Sequence, residues 1–184
     1  MDDVTQLIQR AKNGDRGALD DLFELLYPEL RRIAHARLTR NVRDTLLDTT
    51  ALVHECYLKF SSAERLKPAD RTHFLAYSAS AMRSIIVDFA RARVAERRGG
   101  DSPHVTLDTE LIEGVPAGED EILQVDEALD ELGKLEPRLV QVVEMRYFGG
   151  MSDADVGAVL GVTDRTVRRD WEKARLLLAA SLRR

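Results

Sequence analysis

Apolar residues recur at helical spacing along most of the chain. Intervals of three and four residues place such positions on one face of an α-helix. Three stretches show these intervals most clearly, with apolar positions at Leu19, Leu22, Phe23, Leu26, Leu30, Ile33 and Ala34, at Leu52, Cys56, Tyr57 and Phe60, and at Phe74, Tyr77, Ala81, Ile85 and Phe89. No stretch sustains a period of two residues, so the pattern predicts an all-α fold.

The segment 99–119 interrupts the helical pattern. It opens on two glycines and continues with prolines, further glycines and many acidic residues, a composition typical of a flexible linker. Helical spacing resumes near Asp120, and Pro137 stands where the first turn of another helix tolerates proline. The sequence therefore predicts two small helical domains, residues 1–98 and 120–184, joined by an acidic linker.

Residues 152–175 have the spacing of two short helices joined by a turn. Ser152 and Asp155 match a capping box, Gly161 supplies the turn, and Thr163 can cap the second helix. The second helix carries candidate DNA-binding residues at Thr163, Arg165, Thr166, Arg168, Arg169 and Lys173. A helix of this kind can enter a major groove, so the sequence predicts a DNA-binding helix-turn-helix. The alternative is an ordinary helical hairpin with a solvated basic face.

Composition adds an uneven charge distribution. The net charge is −5, but residues 101–137 alone hold twelve acidic residues and one basic residue. The segments 31–60, 61–100 and 138–184 are each net basic. Local charge decides where an anionic polymer binds, so the acidic total does not exclude DNA. A single cysteine and the absence of a bilayer-length apolar run predict a cytoplasmic protein that does not bind a membrane.

The pair His54-Glu55 is the one string that resembles a catalytic motif. A zinc protease helix needs a second histidine four residues after the first, and that position is Leu58. No phosphate-binding loop or nucleophile elbow occurs. The sequence therefore predicts a protein that is not an enzyme, with no catalytic residues, no metal site and no cofactor.

In their order and spacing, these segments resemble bacterial RNA polymerase sigma factors of the extracytoplasmic-function (ECF) group. Residues 20–38 resemble the family's first conserved helix, and Ala51–Leu58 (ALVHECYL) its core-polymerase-binding helix. Residues 73–98 resemble the segment that melts and recognises the −10 promoter element, and residues 121–175 the domain that binds the −35 element. The resemblance implies a monomer when free, with core RNA polymerase and promoter DNA as partners and an anti-sigma factor as a further candidate.

The resemblance also implies two sets of binding residues in the N-terminal half. The set for the −10 element is Phe74, Arg83, Arg91, Arg93, Arg97 and Arg98. The set for core polymerase is Asp48, Ala51, Leu52, His54, Glu55 and Lys59. Aromatic faces with a basic track can hold single-stranded nucleic acid. The alternative for the aromatic residues is a place in the core, because they share the apolar stripe, whereas the arginines lie largely off it.

The start of the core-binding segment departs from the family pattern. The family has acidic residues there, whereas this chain has Thr49, Thr50 and then Ala51 in place of the expected aspartate. Phosphorylation adds a charge of about −1.5 to −2, and a helix N-terminus favours anions. The hypothesis is that a Ser/Thr kinase activates the protein at Thr49 or Thr50. The alternative is that Asp48 or one of the threonines only caps the helix.

A different functional class also fits part of the sequence. A conventional regulator would place a helical sensory or dimerisation domain before its helix-turn-helix, and it would bind an operator as a dimer. The basic, aromatic-bearing segment 73–98 favours the sigma-factor interpretation, because a sensory domain has no need of it.

Overall fold

The computed structural model describes residues 3–41, 48–63, 68–99 and 118–182. Within these ranges every regular element is helical, which confirms the all-α prediction for them. The helices are α1 (Val4–Lys12), α2 (Arg16–Asn41), α3 (Thr49–Ser61), α4 (Arg71–Gly99), α5 (Gly118–Leu135), α6 (Pro137–Val143), α7 (Asp153–Leu160) and α8 (Asp164–Ser181). A π-helical turn, Glu144–Phe148, continues α6 and is called the π turn below.

Helices α1 to α4 enclose an aliphatic and aromatic core. The predicted apolar stripe of α2 faces inward, and Leu22, Leu26 and Leu30 are buried there. Against it lie the rings of Phe23, Phe60 and Phe74, with centroids 5.4 to 5.7 Å apart and nearly perpendicular planes. Edge-to-face contacts of this kind stabilise aromatic clusters beyond the area they bury.

Helices α5 to α8 form a second cluster of buried side chains. Leu129, Leu139 and Val143 pack together in it, and Val156 of α7 and Val167 of α8 are fully buried nearby. As predicted, the proline at position 137 occupies the first turn of α6, where its missing N–H leaves no helical hydrogen bond unmade.

Helix α4 packs against both groups of helices. One side, with Met82 and Ile86, belongs to the N-terminal core. The other side places Ala79 against the second cluster. A side chain at Gly149 would come within 3.2 Å of the Ala79 Cβ and 2.6 Å of the Met145 carbonyl oxygen, so glycine permits this close approach. The segments on either side of the predicted linker are therefore in contact in the structure.

Several predictions concern residues outside the described ranges. Most of the predicted linker, residues 100–117, lies there, and so do the side chains of Arg97 and Arg98. Within the part of the chain that is described, no helix is long and apolar enough to cross a membrane.

Candidate nucleic-acid interface

Helices α7 and α8 are joined by a short turn whose geometry follows from local sequence. The Ser152 hydroxyl accepts a hydrogen bond from the Asp155 N–H at 3.2 Å, and the Asp155 carboxylate accepts one from the Ser152 N–H at 3.3 Å. This confirms the predicted capping box. Gly161 ends α7 in the left-handed region, with φ of +66°. Thr163 caps α8 by accepting from the Thr166 N–H at 3.3 Å, also as predicted.

Gly157 is a further determinant of this turn that the sequence analysis does not single out. Its carbonyl accepts from the Val162 N–H at 3.0 Å, which closes the turn after α7. A Cβ at position 157 would lie 2.7 Å from the Val162 carbonyl oxygen. A backbone atom cannot move aside as a flexible side chain can, so this position excludes any larger residue. The sequence signal for this role is a second glycine, four residues before the glycine that is predicted to form the turn.

Helix α8 separates a buried face from a basic face. Val167 and Ala174 are fully buried against α6 and α7. Four predicted DNA-binding side chains lie together on the opposite, exposed face: Arg165, Arg168, Arg169 and Lys173. Thr163 is exposed at the start of the same helix, and Thr166 is half-buried. The structure therefore brings this predicted set together at one surface.

Two partly exposed carboxylates, Glu136 and Asp153, lie near the exposed side chains of this basic face. The Lys173 ammonium lies 2.6 Å from Glu136, and the Arg168 Nε lies 3.5 Å from Asp153. Ion pairs between exposed groups contribute little, because water and salt screen them. The basic face is thus open to competition from an anionic ligand.

Asp170 is the acidic residue of α8 that would most disturb an anion-binding face, but it is buried: one oxygen meets Arg138 and the other lies 3.9 Å from the Arg169 Nε. Its carboxylate is 3% exposed and lies 2.7 Å from the Arg138 Nε of α6. Arg146 of the π turn lies over the Trp171 ring, 4.8 Å from the centroid. These contacts fix the inner side of α8 to the rest of its cluster, so its basic side can meet a ligand as a rigid surface.

The predicted −10 residues on α4 have very different surroundings. Arg83 is 12% exposed and is held by carboxylates from two other elements. Its Nη1 lies 2.7 Å from Glu144, and its Nη2 lies 2.5 Å from Asp126 and 3.4 Å from Asp130. Arg91 reaches the second oxygen of Asp126 at 3.0 Å. Burial by itself lowers the pKa of Arg83. The carboxylates of Glu144 and Asp126 raise it by more than burial lowers it, so the net shift of the pKa is upward.

Arg93 and Phe74, the other predicted −10 residues whose side chains are described, lie away from Arg83 and its carboxylates. Arg93 lies 3.8 Å from Glu119, at the start of α5. Phe74 is fully buried in the aromatic cluster, so the alternative considered for it, a core residue, describes its position here. Its ring is not available for stacking on a base in this conformation.

The predicted polymerase-binding residues lie on and before α3. Asp48 caps this helix, because its carboxylate accepts from the Ala51 N–H at 2.7 Å. His54, Glu55 and Lys59 are exposed, and the Lys59 ammonium lies 2.8 Å from the Ser84 hydroxyl. Three members of the set are therefore at the surface of the helix.

Three other residues of α3 complete the description of that surface. Leu52 is fully buried, so it contributes to packing and not to a surface. Thr50 is exposed, whereas Thr49 is half-buried. Leu58, which stands where a zinc protease helix has its second histidine, is 42% exposed beside the polar residues of the same face.

Groups suited to metal binding or nucleophilic chemistry do not assemble in the described parts of the chain. No cluster of three or more His, Cys, Asp or Glu side chains there is arranged to hold a metal ion. Cys56 is buried, and burial raises the pKa of its thiol to about 12. A thiol that stays protonated near neutral pH is a poor nucleophile.

Comparison with known families gives one match that covers the chain. A family model described as ECF sigma factor matches residues 1–184. A search of curated proteins found no match.

Proposed function

The chain belongs to the ECF sigma factor family, and we propose that it binds core RNA polymerase through α3, reads the −35 element with α8 and engages the −10 element with α4. Its general role is therefore that of a sigma factor in transcription initiation. On this proposal residues 1–98 act as the core-binding and −10 domain, and residues 120–184 act as the −35 domain. The linker 99–119 connects the two.

The observation that carries the −35 assignment is the basic face of α8. Arg165, Arg168, Arg169 and Lys173 project from one side of a helix whose other side is fixed by buried contacts. The preceding α7 and its glycine turn complete a helix-turn-helix, in which the second helix enters the major groove. Asp170 is withdrawn to Arg138, so it does not repel phosphates from this face.

The −10 assignment rests on the arginines of α4, without the ring of Phe74. Arg91 and Arg93 are at least partly exposed along the helix. Phosphate contacts from such side chains position a strand and make binding salt-dependent. Arg97 and Arg98 stay in the proposed surface on the strength of the sequence alone.

The polymerase contact rests on the exposed face of α3. His54, Glu55 and Lys59 supply polar groups, and the exposed Leu58 supplies an apolar one. Partly apolar, partly charged faces of this kind suit a specific protein interface. Core polymerase supplies the chemistry of RNA synthesis, so the chain needs no catalytic group of its own.

We retain phosphorylation at Thr49 or Thr50 as part of the proposal. Asp48 caps α3, as the capping alternative expects, so the phosphorylation proposal rests on the acidic residue missing at Ala51 and on the exposed Thr50. Thr50 is exposed in the first turn, where a kinase can reach it and where the helix dipole favours a phosphate. The added charge would make up for the acidic residue that the family has at this position and that Ala51 replaces here.

Reconstituted transcription tests the main proposal. Core RNA polymerase, the full chain and a library of randomised promoter fragments should yield specific transcripts with a shared −35 and −10 pattern. The chain alone should be a monomer in gel filtration and should co-elute with core polymerase. The rival class, a dimeric regulator, predicts tight DNA binding without polymerase and no co-elution; the family match does not favour it.

Four variants test the phosphorylation hypothesis: Thr49→Glu, Thr50→Glu, Thr49→Ala and Thr50→Ala. The hypothesis expects at least one glutamate variant to transcribe more than wild type without a kinase, and the matching alanine variant to lose activation by a kinase. If all four variants behave as wild type does, with and without a kinase, the switch is refuted.

A further inference from the structure

We propose that the free chain is autoinhibited by an ion cluster around Arg83, in which carboxylates of α5 and the π turn occupy arginines of α4 that promoter DNA would otherwise contact. The inference rests on the proposed function for the identity of the blocked ligand. The closed packing itself is a property of the chain that can be measured without polymerase or DNA.

The geometry of the cluster joins the two halves of the molecule. The guanidinium of Arg83 lies between Asp126 of α5 and Glu144 of the π turn, at 2.5 and 2.7 Å. Asp126 is nearly buried and binds Arg83 with one oxygen and Arg91 with the other. One carboxylate therefore engages two of the proposed −10 arginines at once.

A carboxylate is a chemical substitute for a phosphate at such a site. Guanidinium groups bind both anions with the same planar donors. Because Asp126 and Glu144 are part of the same chain, their effective concentration at Arg83 is high. A phosphate from DNA must displace them, so the closed arrangement lowers the affinity of α4 for the promoter.

The rest of the interface is compatible with opening. On α4 it presents small side chains, Ala76 and Ala79, to the C-terminal cluster. Beside the ion cluster lies a cavity of about 240 Å³, lined in part by Ser80, Ser84 and Asp88. Water and salt can enter a polar cavity of this size. Two parts of one chain are expected to move relative to each other unless the interface between them is large and hydrophobic.

The ion cluster accordingly decides the balance between closed and open forms. Removing one member of a buried charge pair leaves the other uncompensated, which disfavours the closed form strongly. A partner that binds the open form shifts the equilibrium towards it by its differential affinity. On the proposed function, core polymerase with a promoter provides such a differential, because α4 and α8 would bind two separate promoter elements.

The experiment compares Asp126→Asn with Glu127→Gln in the full chain. Both variants remove one negative charge from α5, but Glu127 is exposed on that helix and lies outside the cluster. Dyes are attached to a Glu24→Cys, Ala180→Cys background, since both positions are exposed and lie in different halves. Cys56 stays unlabelled, because it is buried and the pKa of its thiol is about 12.

The expected result is a rise of about tenfold in the open fraction for Asp126→Asn, seen as reduced energy transfer between the dyes. Glu127→Gln should match wild type. In a separate assay with core polymerase, Asp126→Asn should lower by about tenfold the chain concentration needed for half-maximal promoter complex formation, since less of the chain is held closed.

A second pair of variants keeps the test decisive if Asp126→Asn folds poorly. Glu144→Gln should open the chain from the other side of Arg83. Arg83→Gln should open the chain as well, because it removes the guanidinium that Asp126 and Glu144 both meet. Circular dichroism confirms that each variant is folded.

Two results would overturn the proposal. Unchanged energy transfer in folded Asp126→Asn and Glu144→Gln would show that the cluster does not hold the chain closed. Opening without tighter promoter complex formation would show that the closure is not inhibitory. Failure of every variant and of wild type to form a promoter complex with core polymerase, with the opening intact, would instead refute the proposed sigma-factor assignment of these surfaces.

Discussion

The basic side chains of α8 and those of α4 differ in the carboxylates that surround them. On α8, Arg168 and Lys173 are more than half exposed and meet carboxylates that water also reaches. On α4, Arg83 is enclosed and meets Asp126 and Glu144 at short distance. Both helices carry arginines that the sequence assigns to DNA. An arginine is committed where close carboxylates enclose it, and it is available where its acidic partners are distant or exposed.

The largest effect that the comparison predicts is on folding stability. Arg83→Ala leaves Glu144 without its guanidinium and leaves the buried Asp126 with Arg91 alone, so the free energy of unfolding should fall by about 3 kcal/mol. Urea denaturation measures it. The control is Arg165→Ala on α8, which should change stability by no more than about 0.5 kcal/mol. Equal losses in the two variants would remove the distinction between committed and available arginines.

A smaller loss of folding stability is expected when the ion pair between Arg138 of α6 and Asp170 of α8 is broken. Arg138→Ala leaves the buried Asp170 without its guanidinium at 2.7 Å. Because Arg138 is half exposed and water can replace it in part, the cost should be about 1 to 2 kcal/mol. Thermal unfolding followed by circular dichroism provides the measurement. Arg165→Ala is the matched control, since its side chain is exposed at the start of the same helix, and a loss as large as that of Arg138→Ala would contradict the prediction.

The cap of α8 gives a third test, because it stabilises the helix that presents the basic face. Thr163→Ala removes the acceptor of the Thr166 N–H and should cost about 1 kcal/mol. Thr163→Ser keeps that acceptor and should cost less than half as much. Denaturant titration of both variants checks the order, and reversal of the order would show that the cap is not the source of the loss.

The smallest effect on stability should accompany a clear effect on DNA. Arg165→Ala should leave unfolding unchanged, yet weaken promoter complex formation with core polymerase by about tenfold if it contacts a base edge. If it contacts only a phosphate, the slope of log affinity against log salt should fall by about 1. Arg175→Ala, near the far end of α8, is the matched control. Equal losses in both variants would argue against a localised −35 surface.

Local chemistry made part of this molecule predictable. The stripe of α2, the capping box at Ser152 and Asp155, and the cap at Thr163 were all expected from residues within a few positions of each other. Hydrophobic spacing and capping depend on helix geometry alone, so they can be read without knowing the fold. The family match over the whole chain confirms the resemblance drawn from the same segments.

Other residues were harder to place from the sequence, because their roles depend on contacts that the fold creates. Phe74 carries a ring suited both to stacking on a base and to a core, and contacts with Phe23 and Phe60 enclose it. Leu52 likewise belongs to the core, although it lies inside the polymerase-binding segment. Gly157 carries no side chain, so its role depends on the carbonyl of Val162 that the turn brings close to it.

By itself, the sequence determined the helical fold, the caps around the turn between α7 and α8, and membership of the ECF sigma factor family. Only the tertiary structure decided which arginines are exposed and which are committed. The physical reason is distance along the chain: the acids that hold Arg83 lie 43 and 61 positions away, at Asp126 and Glu144. Helical periodicity reports which face a residue occupies, but a partner that packs onto that face from another helix sets its electrostatic surroundings.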